Sequence, residues 1–213
     1  MSSKVIGFML ILGPILTMGV WILYNIDTEG ISPSDAMIAI MADTNKAEIS
    51  SILNVFGVMS MFTGLYFLAK SLKSDNSVSN HFSEIGGLFL LLCVPIWVVL
   101  VGAWLPAIDA AEEFGNDVGA TIIASSTALQ MGGVLLVVGL FLLGISLTLL
   151  RKYKRIIGIL FIIASVSAFI DMIFQIEIFS MIGWMGMFLM TFVTGILTTL
   201  NSYGIVNFKF WRS

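Results

Sequence analysis

The chain has 213 residues, of which 58% are apolar and only 11% charged, with a formal net charge of −3 and a mean hydropathy of +1.04. A water-soluble globular domain carries roughly 25% charged residues, so this composition excludes a protein dissolved in water, and nothing in it points to nucleic-acid binding. Cys93 is the only cysteine, which excludes an intramolecular disulfide; it lies inside an apolar run and reads as a small apolar filler.

A bilayer core of about 30 Å is crossed by about 20 apolar residues in helical form. That rule gives six spans, at 5–25, 50–70, 83–106, 128–150, 156–175 and 179–201. Alternation of period two is absent, and the runs far exceed the ~10 residues of an outer-membrane strand. The expected fold is all-α: a polytopic membrane protein of six transmembrane helices forming one domain over 1–213. The opening MSSKVIGFMLILGP has one positive charge and no Ala-x-Ala site after it, so it reads as an uncut first span rather than a signal peptide.

The first loop, 26–49, is the longest. Within it ISPSDAMIAIMADTNKAE offers Ser32 as N-cap, Pro33 at the first helical position and Asp35 in the first turn. Met37, Ile40 and Met41 share a face, which predicts a short amphipathic helix on the membrane surface or over the bundle. Asn45 followed by Glu48 resembles a capping box opening the second span. The loop 71–81, SLKSDNSVSNH, reads as a polar flexible link. In the next loop Gly115 and Asn116 are expected to end one helix and begin another. The helix from about 118 to 150 would run ~48 Å and must tilt or stand proud of the bilayer.

Basic residues set the orientation. With the N-terminus in the cytoplasm, Lys4, Lys70, Lys73, Arg151, Lys152, Lys154, Arg155, Lys209 and Arg212 all face inward and only Lys46 faces outward, a strong positive-inside bias. Both termini are then cytoplasmic, in a cell membrane. RKYKR at 151–155 reads as a topology anchor, with a lipid-headgroup site as the alternative.

Three stretches repeat a pattern: LNVFGVM (53–59), LQMGGVL (129–135) and FSMIGWM (179–185). Each opens an even-numbered span with a polar residue followed by glycine. The odd-numbered spans begin alike, with KVIG, SEIGG and RIIG. Three helical hairpins in parallel repeat are the simplest account, as parallel repeats occur in transporters. The glycines and small residues of the even spans, among them Gly57, Ser60, Gly64, Gly139, Gly144, Gly183, Gly186 and Gly195, predict close helix approach; flexible points for gating are the other reading.

The repeat puts Asn54, Gln130 and Ser180 at one level, near the outward edge of the hydrocarbon. They read either as interfacial residues that cap and cross-link helices or as the lining of one outward-facing polar pocket. Asp171 is the costliest residue. An aspartate at a helix centre costs ~2.5–3.5 kcal/mol, while the Ile, Leu, Val and Phe residues of 156–174 return ~4–7 kcal/mol, so the span still inserts. It reads either as reaching water or bonding Gln130 or a tryptophan N–H, or as an outward-facing proton or cation site. Asn54, Gln130, Asp171 and Ser180 are the candidate site.

Catalytic machinery is not in evidence. Asp109, Glu112 and Glu113 share a helical face that reads as solvated rather than calcium-binding. His81 is the only histidine, which excludes a multi-histidine metal site. Gly-rich phosphate loops and Cys-x-x-Cys pairs are absent, so no cofactor or metal is expected. Pro14, Pro95 and Pro106 kink or end helices, and Trp21, Trp104 and Trp184 fit interfacial belts.

The stretches IGFMLILGPILTMG, SDAMIAIMADTNKAEISSILNVFGVMSMFTGLYFLAKSLK and ALQMGGVLLVVGLFLLG with RKYKRIIGIL together resemble a broad group of six-span prokaryotic membrane proteins classed as a domain of unknown function. The resemblance covers about half of the chain and implies the fold alone. The leading expectation is a non-enzymatic accessory or scaffold component whose partners are the bilayer, a second copy or other membrane proteins. A small-solute or cation transporter is the rival.

Overall fold

The computed structural model describes residues 1–28, 30–74, 77–150 and 155–205. Its helices are α1 (Ser3–Leu23), α2 (Pro33–Met41), α3 (Thr44–Lys70), α4 (Ser77–Gly102), α5 (Trp104–Phe114), α6 (Asn116–Thr127), α7 (Gly133–Leu150), α8 (Arg155–Phe174) and α9 (Glu177–Ser202), with a 3₁₀ segment at Ala128–Gly132 joining α6 to α7. No strand occurs among the described residues. Six helical stretches are long and apolar enough to cross a membrane, and the chain is an all-α polytopic membrane protein. Most of the RKYKR stretch lies outside the described residues; only Arg155 is placed, as the first residue of α8.

The long helices close into a ring in chain order. α1 packs on α3, α3 on α4, α4 on α7, α7 on α8 and α8 on α9, and α9 returns to α1. The interior is filled rather than open: Leu10, Phe62, Leu65, Leu90, Leu136, Leu143 and Phe161 pack into one cluster and are almost wholly buried. Cys93 is buried in the same cluster.

Small residues make the seams, because in lipid the gain comes from close packing of backbones rather than from expelling water. Within the α1–α3 hairpin a Cβ on Gly57 would stand 2.8 Å from Thr17; in α4–α7 one on Gly132 would stand 2.5 Å from Ile96; in α8–α9 one on Gly183 would stand 2.6 Å from the Ala168 backbone. Thr17, Ile96 and Ala168 each lie ten residues after the glycine of KVIG, SEIG or RIIG. Between hairpins, Gly7 meets Gly195 and Thr199, Gly87 meets Ala69, and Gly158 meets Gly144 and Thr148. Interhelical hydrogen bonds add to this: Ser60 Oγ donates to Met9 O (3.0 Å), Ser51 Oγ to Val101 O (2.7 Å), and Ser79 and Ser146 pair through their hydroxyls (2.9 Å). Such bonds are worth about 0.6 kcal/mol each.

A second, smaller core caps one end. Met37 and Ile40 of α2, Ala47 of α3, Ala107, Ile108 and Ala111 of α5 and Ala120 of α6 pack together there. Ser32 caps α2 as expected, accepting from Asp35 N at 3.1 Å. Gly115, at φ +98°, makes the turn between α5 and α6, a backbone conformation that a side chain disfavours. Hairpin α4–α7 therefore stands proud of the others.

Four expectations need correction. Asp43, not an Asn45–Glu48 box, caps α3: its carboxylate accepts from Lys46 N at 3.1 Å, and the helix starts at Thr44. The link 71–81 is helical from Ser77, because Ser79 is buried against Ser146 and Asn80 bonds the Ser74 backbone through both its amide atoms. The long helix of 118–150 breaks into α6, the 3₁₀ segment and α7. Trp184 is not interfacial; it packs against the ring core and meets Trp97.

Candidate functional site at the mouth of the ring

The mouth of the ring lies at the capped end, where each inward-facing stripe of side chains stops. On α3 the stripe runs Leu68, Leu65, Met61, Val58, and its next member is Asn54. On α9 it runs Thr198, Thr194, Thr191, Met187, Gly183, and Ser180 continues it. These intervals of three and four residues keep one helical face, so Asn54 and Ser180 head two interior stripes. Both are half-buried.

Asp171 lies one turn beyond Ala168, on the side of α8 turned to α9, where Ala168 meets Gly183. It is half-buried, at the level where Ser180 opens α9. Gln130 parts from the group. It lies in the 3₁₀ segment and is exposed, because the tighter winding of that segment turns it off the face that α7 presents to the ring. The structure therefore sets Asp171 and Ser180 on neighbouring helices, puts Asn54 on α3 across the ring, and leaves Gln130 outside.

None of these four side chains hydrogen-bonds to a described residue. The expected bond from Asp171 to Gln130 or to an indole N–H is not made. An ionisable group in a membrane helix is costly unless it is paired or wetted, and Asp171 stands half-buried three residues from the end of α8 with no pairing among the described residues.

Below the mouth lies a group that the sequence did not single out. Trp97 of α4 meets Trp184 of α9 across the ring (ring centroids 5.7 Å apart, edge to face) and meets Phe62 of α3 on its other side (5.9 Å). The Trp97 Nε1–H is buried without a hydrogen-bond partner, an uncommon state for a polar atom. Beside Trp184, between α7, α8 and α9, is an enclosed void of about 10 Å³ lined by Leu136, Leu140, Ala168, Gly183 and Met187 among others, room for about one water. A larger cleft of about 290 Å³ opens between α7 and α8, walled by Val137, Val138, Phe141, Val166 and Phe169 with Ser165. Deeper in the ring, hydroxyls are satisfied by their own helix: Thr191 donates to Met187 O (2.8 Å), Thr194 to Met190 O (2.7 Å) and Ser165 to Phe161 O (2.7 Å).

The capped end is acidic. Asp109, Glu112, Glu113 and Asp117 are exposed on α5 and α6, and Asp27, Asp35 and Asp43 are exposed around α2. No group of three or more His, Cys, Asp or Glu side chains among the described residues is arranged to hold a metal ion.

The fold makes the chain an integral membrane protein that crosses the bilayer six times. Comparison with protein-family models, curated proteins and solved structures finds no match.

Proposed function

We propose that the protein is a non-enzymatic integral membrane protein that serves as an accessory or scaffold component of a membrane assembly. The observation that carries this reading is the packing of the ring interior. Leu65, Leu90, Leu136, Leu143 and Phe161 close it with apolar side chains, and the threonines of α9 bond their own helix rather than lining a wet path. A solute crossing this ring would have to open the whole core.

The same reading takes the three hairpins as an internal repeat, each with a glycine at its seam, that of α4–α7 being Gly132, one residue before the glycine aligned with Gly57 and Gly183. The capped end is the region that differs between them, and it supplies a surface for other membrane proteins or a second copy. The membrane is the cell membrane, with both termini cytoplasmic, supported by the basic residues gathered at the uncapped end. Native mass spectrometry after extraction in mild detergent tests the accessory role: co-purifying protein subunits or a defined homo-oligomer are expected, and a lone monomer at native expression level would overturn it. In a Cys93→Ala background, Asp109→Cys should react with an impermeant maleimide from outside intact cells and Lys73→Cys only after lysis; the opposite pattern would reverse the orientation.

A transporter of small solutes or cations is the second reading. It is favoured by the unpaired Asp171, Ser180 and Asn54 around the mouth.

A further inference from the structure

The cleft between α7 and α8 follows from where the two helices touch. Near the uncapped end glycines bring them together: a Cβ on Gly144 would strike the Gly158 carbonyl and Ile162, and one on Gly158 would strike Thr148. Near the capped end they touch again, where a Cβ on Gly133 would strike Met172. Between these contacts α8 packs closely on α9 instead, through Gly183 on Ala168, and a gap of about 290 Å³ is left beside α7. Its floor reaches Val137 and Ser165, which are buried, and its open side passes Val166 and Phe169, 43% and 45% exposed on the lipid face of the ring. The walls are hydrocarbon, since the Ser165 hydroxyl donates to Phe161 O of its own helix (2.7 Å).

Chemistry and size together select the occupant. Water and polar solutes need hydrogen-bond partners that these walls lack, and an empty apolar gap forfeits dispersion contacts along its lining. A partner's transmembrane helix, about 10 Å across with its side chains, is too wide to enter, whereas a single hydrocarbon chain fits. Phe169 and Val166 precede Phe174, the capped end of α8, by five and eight residues, or about 8 and 12 Å. The cleft therefore lies within one leaflet of a core about 30 Å thick. At that end Asp109, Glu112, Glu113 and Asp117 are exposed and Lys46 is the only lysine or arginine in the two loops that form the cap, a field that repels anionic headgroups. We propose that the α7–α8 cleft binds one acyl chain of a zwitterionic phospholipid from the leaflet on the capped side. The chain completes the wall of the ring where the two helices part. This site rests on the six-span fold and not on the accessory role.

The test uses the full chain in phosphatidylcholine nanodiscs doped with a phosphatidylethanolamine that carries a diazirine midway along one chain, with adducts mapped by mass spectrometry after irradiation. Labelling is expected on Val137–Phe141 and Ser165–Phe169, several-fold above that at Met185, which is exposed at the same depth on α9. Val166→Trp should fill the cleft from its open side and lower labelling of Val138 and Phe141 several-fold without changing Met185, while Val166→Ala should preserve it. If Val166→Trp does not elute as a monodisperse protein, Val166→Phe takes its place. The same diazirine chain on phosphatidylglycerol should label the cleft several-fold less, relative to Met185. Labelling no stronger in the cleft than at Met185, or unchanged by the filling variant, would overturn the site. A cleft left unlabelled would give it to a protein side chain and overturn the lipid. Equal labelling by the two headgroups would overturn the zwitterionic assignment.

Discussion

Hairpins α4–α7 and α8–α9 meet through the same kind of seam inside the membrane and diverge beyond it. In the first, Gly132 lies against Ile96; in the second, Gly183 lies against Ala168. Yet the stretches Ser77–Phe114 and Asn116–Leu150 of the first hairpin have 38 and 35 residues, whereas α8 has 20. At 1.5 Å per residue the helical path of each half of the first hairpin comes to about 55 Å, broken at Ala103 and at the 3₁₀ segment, and that of α8 to about 30 Å, no more than the hydrocarbon itself. The turn of α8–α9 takes two residues, with Gln175 at φ +52°. Its tip is bare apolar surface, with Ile173, Phe174 and Ile178 more than half exposed. The seam thus carries the fold in the bilayer, and the added height of α4–α7 carries a separate small core. Stability should divide along the same line.

The sharpest way to break that division is at a seam. A side chain at Gly183 would run into the Ala168 backbone, which cannot move aside as a flexible side chain can. Overpacking commonly costs about 1–3 kcal/mol, and Gly183→Leu should exceed about 3 kcal/mol because backbone is the obstacle. Gly19, on α1, has nothing within 4 Å of its would-be Cβ, so Gly19→Leu should leave the fold intact. Melting followed by size exclusion in detergent checks the pair. Equal losses at both positions would mean that bulk, not the seam, is being measured.

The cap offers the complementary test. Met37 is fully buried between α2, α5 and α6, and Met37→Ala should cost about 2–3 kcal/mol, the lower part of the range for such truncations, given how readily neighbours adjust around a flexible thioether. Limited proteolysis should cut α2 and the α5–α6 turn while the ring stays whole. Simultaneous collapse of ring and cap would show one cooperative unit instead of two.

What the sequence disclosed and what it withheld follow the same physical divide. The six spans, the Ser32–Pro33 cap and the break at Gly115 depend on neighbours within a few residues, where hydropathy and turn chemistry act directly. Ring closure by α9 on α1 and the meeting of Trp97 with Trp184 depend on residues far apart in the chain, and no local pattern encodes them. Of the four candidate residues, Asn54 and Ser180 were legible because helical spacing alone sets them on interior stripes. Gln130 was read at the outer end of its span, but a hydropathy window cannot tell that it stands there exposed in 3₁₀ rather than α winding. Trp97 was passed over because a tryptophan in an apolar span looks the same whether it faces lipid or the ring.

The smallest predicted effect concerns the entry to α3, which belongs to both regions at once. Asp43 is exposed and accepts from Lys46 N at 3.1 Å, whereas Ala47, one turn on, is wholly buried in the small core. Removing an N-cap carboxylate costs about 1 kcal/mol, and here the loss should fall on the cap, since α3 is held farther down by Gly57 against Thr17 and by Ser60 on Met9. Asp43→Ala should therefore speed amide exchange at the start of α3 and in α2 and leave exchange around Val58–Leu68 unchanged. Faster exchange along the whole of α3 would mean that the helix is fastened from its capped end, and the ring would then depend on the cap it carries.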